Sequence, residues 1–262
     1  MTHTLLTPFQ NNCVALLAAL PESHSRACFR SALYHLDKAE LLAVVDPAMA
    51  IFRGITAEEE AASGLMYGLR EGGYGSSNKL NPKNHVHKHA MIPFLRVIGL
   101  FHGQVFENKI KEYRLHIKEE DGRSRLMLTF PVTIDGEEHW GYPVPPLNFD
   151  VKVGTTSKPP SYEAQITSFV KAVGAKDILS YLRKEANLRN QVLYAAPDGY
   201  PVISELKPAF LTGKAAHVSK LLQAYLLIKP WPEIQPFVQD SIGAFLAMVG
   251  AIESSSELAN EG

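Results

Sequence analysis

The stretch DPAMAIFRGITAEEEAASGLMYGLREGGYG, residues 46–75, decides the fold class of this chain. Asp46 is a favourable N-cap and Pro47 suits the first position of a helix, so a helix is expected to begin here. Its apolar residues recur near helical spacing as far as Leu69, and it is expected to end near Arg70, before a glycine-rich loop. A helix of this length predicts a mainly α fold.

Further helices are expected on both sides of this stretch. The segment 26–45 carries apolar residues near helical spacing. Asn81-Pro82 repeats the cap-then-proline signal and is expected to open another helix, which Pro93 kinks or divides. Nearer the C-terminus, the apolar pattern predicts helices over 161–173, 176–194, 214–229 and 233–252.

The segment 112–160 breaks the helical pattern. Strand-like runs flank Asp121-Gly122, and a third run follows Asp135-Gly136, which predicts a small β-hairpin insertion. The sequence therefore predicts a mainly α helical bundle forming a single domain over 1–262. The helical core is expected over 20–110 and 161–205. The β-rich insertion is expected over 112–160, and the extra C-terminal helices over 206–252.

Composition excludes several classes of protein. The 262 residues are 46% apolar and 20% charged, an ordinary globular balance, and 26 basic against 27 acidic residues leave a net charge of −1. This near-neutrality argues against a broadly basic protein that coats nucleic acid. Two cysteines, Cys13 and Cys28, are too few for a disulfide framework, and there is no Cys-x-x-Cys pair. No basic residue precedes the apolar run 14–20 and the late run 242–252 is too short to span a bilayer, so a cytoplasmic protein without membrane contact is expected.

Three of the ten histidines lie within residues 85–89. This segment is expected to face the run of glutamates at residues 58–60. His85 and His89 are four residues apart and share one face of a helix, which is the spacing of two-histidine metal sites. Glu58, Glu59 and Glu60 supply at least one inward carboxylate. Such a set can bind a metal, orient a histidine for proton transfer, or form a buried hydrogen bond between helices.

A second candidate lies near the end of a predicted helix. Arg189 can hold a phosphate through two hydrogen bonds, and Tyr194, five residues later, can donate or accept a proton in the same pocket. The structural alternative is that Arg189 pairs with a carboxylate on its own helix and Tyr194 packs against the following turn. Arg30 and His35 form a weaker arginine–histidine pair on an earlier helix.

Taken in order along the chain, these segments resemble the AbiV family of abortive-infection proteins, a helical branch of the HEPN superfamily. The resemblance covers 26–110 and 175–205, roughly half the chain. It rests on the order of four motifs, namely a first helix, Ala57-x-Glu59-Glu60, His85-x-x-Lys88 after a glycine-rich loop, and Leu188-Arg189-x4-Tyr194-x3-Asp198-Gly199-x-Pro201.

The resemblance implies a HEPN-like helical bundle, paired as a homodimer and acting in antiviral defence. Active HEPN nucleases cut RNA without a metal through an Arg-x4–6-His motif, in which the arginine and a polar neighbour hold the phosphate. Arg189 and Asn190 match the first part of that motif, whereas Tyr194 stands where the histidine would be. Tyrosine is a poor general base at neutral pH, so this departure weighs against nuclease activity.

The leading hypothesis is a phage-defence or stress protein with a pocket for RNA or a nucleotide, acting as a metal-independent ribonuclease with no cofactor. Its catalytic residues are expected to be His85 as base, Glu60 orienting it, Arg189 and Tyr194, and its substrate-binding residues Lys88, Asn190 and Glu59. One alternative is a non-catalytic protein-interaction module that binds a partner through 112–160. Another is a metal-dependent hydrolase with His85, His89 and Glu60 as ligands.

Overall fold

The computed structural model describes residues 2–105, 113–120, 122–148, 162–194, 203 and 205–260. Within these ranges the protein is mainly helical, which confirms the predicted fold class. The helices are α1 (Pro8–Ala19), α2 (His24–Leu42), α3 (Pro47–Glu71), α4 (His85–Val105), α5 (Glu163–Phe169), α6 (Ala175–Leu193), α7 (Pro208–Ile228) and α8 (Pro236–Asn260). The strands are β1 (Arg114–Glu120), β2 (Arg123–Ile134) and β3 (Glu137–Gly141).

Helix α3 is the central element, and its predicted start is confirmed. The Asp46 side chain accepts a hydrogen bond from the Met49 backbone N–H at 3.0 Å, and Pro47 occupies the first turn. The helix ends at Glu71, one residue beyond the prediction, and Gly73 then adopts a φ of +74° that suits glycine. Most of its second half is buried, because neighbouring helices cover it on several sides.

Helix α7 packs directly against α3, although it belongs to the segment that the sequence predicted to be an addition to the core. Tyr225 and Leu221 of α7 are fully buried. A Cβ added to Gly68 of α3 would lie 2.7 Å from the Tyr225 ring, which shows how closely the two helices approach. The segment 206–252 therefore supplies part of the main core.

Helix α4 begins later than predicted. Asn81 and Pro82 form a turn, in which the Asn84 N–H donates to the Asn81 carbonyl at 3.0 Å, and the helix starts at His85. Pro93 lies within one continuous helix, so of the two predicted outcomes, a kink or a division, the structure excludes the division. A proline removes one hydrogen bond from a helix, and here the surrounding packing maintains the helix across it.

The predicted β insertion is confirmed as a three-stranded antiparallel sheet in the order β1-β2-β3. The β2–β3 turn has positive φ at both Asp135 (52°) and Gly136 (84°), as tight hairpin turns require. Alternate residues of β2, such as Leu126, face the core. Residues 149–160 of the predicted insertion lie outside the described residues.

Helices α5 and α6 are joined by a π-helical turn, Val170–Gly174, where the sequence predicted a break near residue 174. An inserted π turn changes the face that the following helix presents to its neighbours. Within α6, Tyr181, Glu185 and Arg189 lie along one side of the helix because they are spaced four residues apart.

The close contact between α3 and α7 supports a stability prediction. We expect Gly68→Ala to lower the free energy of unfolding by about 1–3 kcal/mol, because the added methyl group would overlap the buried Tyr225 ring. Gly213→Ala, at a position on α7 with no atom within 4 Å of the new Cβ, is the matched control. It is expected to be neutral or to stabilise by up to about 1 kcal/mol. Equal unfolding midpoints in urea for the two variants would contradict this account.

Candidate functional site

The three consecutive glutamates of α3 point in three directions, because successive residues of a helix are about 100° apart. Glu58 is fully buried and points towards α6 and α7, where its hydrogen-bond partners lie. Glu59 is buried and points towards α4. Glu60 is half-buried and acts electrostatically on Cys28 and His35 of α2.

Glu59 is the centre of the candidate site. Its Oε1 atom lies 2.8 Å from His85 Nδ1 and 3.0 Å from His89 Nε2, and its Oε2 atom accepts a hydrogen bond from Lys88 Nζ at 2.8 Å. The three partners share one face of α4 because they occupy positions i, i+3 and i+4. The shared helix face predicted for His85 and His89 is therefore present.

The carboxylate of Glu59 is held in its charged form. Burial alone would raise its pKa, but hydrogen bonds from His89 and Lys88, together with their charges, hold the pKa well below its usual range. Glu59 is thus a fixed anion at neutral pH. It can orient a histidine ring and stabilise positive charge on it.

His85 connects this carboxylate to Arg189. Its Nδ1 faces Glu59, and its Nε2 lies 3.3 Å from Arg189 Nη1 on α6. A guanidinium only donates hydrogen bonds, so Nε2 is the acceptor and the ring proton of neutral His85 is on Nδ1. The His85 side chain is 47% exposed, which leaves the ring accessible to a ligand.

The structure brings together four of the seven residues predicted for the site, namely Glu59, His85, Lys88 and Arg189. Glu59 and Lys88 differ from their predicted roles. The carboxylate that contacts His85 is Glu59 and not Glu60, because Glu60 lies on the α2 side of α3. Lys88 is buried and paired with Glu59, so its ammonium group is not directed at a phosphate in solvent.

The predicted residues at the end of α6 lie apart from the cluster. Tyr194 is 65% exposed, and its backbone N–H donates to the Asn190 carbonyl at 3.0 Å. Asn190 is also exposed. A helix turns about 100° per residue, so a helix that directs Arg189 towards His85 directs Asn190 away from it.

Glu59, His85 and His89 could offer three ligand atoms to a metal ion, since these atoms all lie within 4.8 Å of one another. Glu59 replaces Glu60 in the predicted ligand set. Two observations make a cation a poor fit. Lys88 and Arg189 carry two positive charges against the single charge of Glu59, and a metal at His85 Nδ1 would move the ring proton to Nε2, opposite the donors of Arg189. The excess positive charge favours an anionic ligand.

A second buried cluster surrounds Glu58, and the sequence prediction missed it. Lys214 of α7 places its Nζ 2.9 Å from Glu58 and 2.6 Å from Glu185 of α6. Tyr181 donates its hydroxyl to Glu58 at 2.5 Å, and His217 Nδ1 lies 2.8 Å from the same carboxylate. The spacing of Lys214 and His217, three apart on one helix, was a signal for a shared face.

The charges in this second cluster stabilise one another. Burial would raise the pKa of Glu58, but the hydrogen bond from His217 and the charge of Lys214 lower it to about 2. Burial would lower the pKa of Lys214, and the charges of Glu58 and Glu185 raise it instead. Glu58 and Lys214 are therefore charged at neutral pH, and the cluster connects α3, α6 and α7.

These depressed carboxyl pKa values predict acid sensitivity. A carboxyl whose pKa falls on folding adds stability above its unfolded pKa, and this stability is lost as the pH falls towards the folded pKa. For Glu58 the window runs from its ordinary 4.5 down to about 2. We expect the free energy of unfolding in urea to fall over this range. Glu58→Gln should show a shallower fall, and parallel curves for the two proteins would contradict the assignment.

Comparison with protein-family models, with curated proteins and with solved structures finds no match to this chain. Within the described residues, none of the helices combines the length and the apolar character that crossing a lipid bilayer requires.

Proposed function

We propose that the protein is a HEPN-like, AbiV-like defence protein whose site binds a phosphate group of RNA or of a nucleotide and cleaves RNA without a metal. The observation that supports this most is the arrangement of His85 between Glu59 and Arg189. It combines an oriented imidazole with a cation that can hold the phosphate.

Each side chain has a part in the proposed reaction. Glu59 holds the proton of neutral His85 on Nδ1, so the lone pair of the ring lies on Nε2, where it accepts from Arg189 in the free protein. When the guanidinium turns to a bound phosphate, this lone pair is released and can take a proton from a ribose hydroxyl. Arg189, beside Nε2, binds the scissile phosphate and stabilises the charge that develops on it as the ribose oxygen bonds to phosphorus. The bond from phosphorus to the leaving oxygen then breaks, and that oxygen takes a proton from solvent water. Lys88 and His89 keep Glu59 charged and in place.

The proposal is tested by incubating the purified protein with single-stranded RNA in EDTA. We expect cleavage to persist in EDTA, because no step uses a metal. Arg189→Ala should abolish most of it, whereas Arg183→Ala, which removes an exposed arginine from the same helix, should retain it. Loss of cleavage in EDTA would instead support the metal-dependent hydrolase.

Exposed Tyr194 favours a second candidate function, a binding protein without catalysis. In the resembling family a histidine would stand at this position, and here the tyrosine lies in solvent, apart from the His85 cluster. Intact RNA after long incubation with folded protein would support this candidate. If the protein is such a binding protein, we also expect a protein partner to protect the segment 112–160 from proteolysis. The homodimer implied by the resemblance is measured in the same preparation by light scattering.

A further inference from the structure

The cluster around Glu58 lies next to the proposed site, and its attachment to α6 has a consequence for Arg189. Tyr181 and Glu185 occupy the same side of α6 as Arg189, two turns and one turn before it. A rise of 1.5 Å per residue places Arg189 about 12 Å along the helix axis from Tyr181. The position of the guanidinium therefore depends on how α6 is held at these two residues.

Apolar packing holds α6 mainly at its N-terminal half. Among the α6 side chains that the structure describes, Ile178 is the one fully buried apolar residue, and Leu179 and Leu182 are partly buried against the core. Nearer Arg189, the buried side chain is Glu185, which is 5% exposed. The polar contacts of Glu185, and of Tyr181 one turn earlier, thus add to the apolar packing in holding the part of α6 that carries Arg189.

Those polar contacts reach two different helices. Tyr181 donates to Glu58 of α3, and Glu185 accepts from Lys214 of α7 at 2.6 Å. Lys214 also donates to Glu58, so the four side chains form one continuous chain of contacts between the three helices. Glu58 is followed directly by Glu59, so the same turn of α3 holds α6 on one side and His85 on the other.

We propose that Tyr181 and Glu185 are positioning residues, which clamp α6 to α3 and α7 so that Arg189 reaches His85. This inference rests on the proposed function for its biological purpose, but the clamp itself is a property of the free protein. The hydrogen bonds of these two residues are made to Glu58 and Lys214 and not to His85. Their effect passes through the Arg189 guanidinium.

The test is a double-variant cycle read at His85 by nitrogen NMR of its imidazole ring in the free protein. Arg189→Ala should shift the Nε2 signal, because the donor beside that atom is lost. Tyr181→Phe removes one hydroxyl, and it should shift the signal in the same direction. In the Arg189→Ala background, Tyr181→Phe should cause no further shift, since the residue through which it acts is gone. Glu185→Gln, which removes the charge partner of Lys214 with little change of shape, should behave as Tyr181→Phe does.

Tyr225→Phe is the matched control. It also removes one buried hydroxyl, which bonds Ser25 at 3.0 Å in a separate polar contact between α7 and α2. The control should leave the His85 signal unchanged.

Three results would overturn the inference. One is an unshifted His85 signal in Arg189→Ala, another is an unshifted signal in Tyr181→Phe, and the third is an equal shift by Tyr181→Phe with and without Arg189. The last would show a general disturbance of the fold and not an effect through Arg189.

Titration with inorganic phosphate separates this inference from the proposed function. Tyr181→Phe should weaken phosphate binding by about tenfold or less, the loss expected when one charged hydrogen bond is impaired. If Arg189→Ala leaves phosphate affinity unchanged, the proposed function fails. The NMR measurements of His85 in the free protein test the positioning role of Tyr181 and Glu185 independently of that result.

Discussion

Replacing Lys214 with methionine is expected to lower the free energy of unfolding by about 3–5 kcal/mol. Lys214 is 4% exposed and is the cation between two buried carboxylates, Glu58 and Glu185. Methionine fills a similar volume but removes the cation that both buried carboxylates share. Glu185 loses its salt bridge, and Glu58 keeps only its contacts with Tyr181 and His217. A loss of this size is a large fraction of the stability of a typical domain.

Lys229→Met is the matched control for this prediction. Lys229 also pairs with a glutamate of α3, Glu71 at 2.6 Å, but both side chains are more than a fifth exposed. Such a pair contributes about 1 kcal/mol or less, because water already solvates both charges. Unfolding in urea should therefore separate the two variants clearly, and similar losses would show that burial does not decide the effect.

A second variant keeps the prediction testable if Lys214→Met fails to fold. In Lys214→Met with Glu185→Gln, one of the two buried carboxylates that lose Lys214 is made neutral. We expect this double variant to regain part of the lost stability, because the cost comes from unpaired buried charge and not from the absence of lysine itself. A double variant less stable than the single one would refute that explanation.

The largest expected effect on activity is that of His85→Ala, which should lower the rate of RNA cleavage by about 10²–10⁴-fold. In the proposed reaction His85 Nε2 takes the proton, and no other described side chain has its place between Glu59 and Arg189. The fold should change little, since the His85 side chain is half-exposed at the start of α4. The rate is measured on a labelled single-stranded RNA in EDTA.

His139→Ala removes an exposed histidine from β3 and is the control for His85→Ala. It should cleave at the rate of the unaltered protein. If His85→Ala retains full cleavage while Arg189→Ala loses it, another group is the base, and the site would have to be reassigned around Arg189.

Much of the fold could be predicted from the sequence because the signals are local. Asp46 and Pro47 mark a helix start by backbone chemistry alone, and α3 begins there. Asp135-Gly136 likewise predicts a hairpin turn, which the structure contains. The start of α4 was placed too early because Asn81-Pro82 is as favourable in a turn as at a helix start, and only the surrounding packing separates the two.

The candidate site depends on tertiary structure as well as on local sequence. The sequence alone determined that His85 and His89 share a helix face and that at least one of the adjacent glutamates points inward, since both follow from helical periodicity. Only the tertiary structure decided that the glutamate is Glu59. The choice depends on which side of α3 meets α4, and neighbours in a helix differ by 100° in direction.

The cluster around Glu58 was decided entirely by tertiary structure. Tyr181, Glu185 and Lys214 lie far from Glu58 in the chain, and each is an ordinary surface residue by type. They meet because α7, which the predicted division of the chain left outside the core, packs against α3. A buried charge is stable only beside its partner, and no local signal states which distant residue that partner will be.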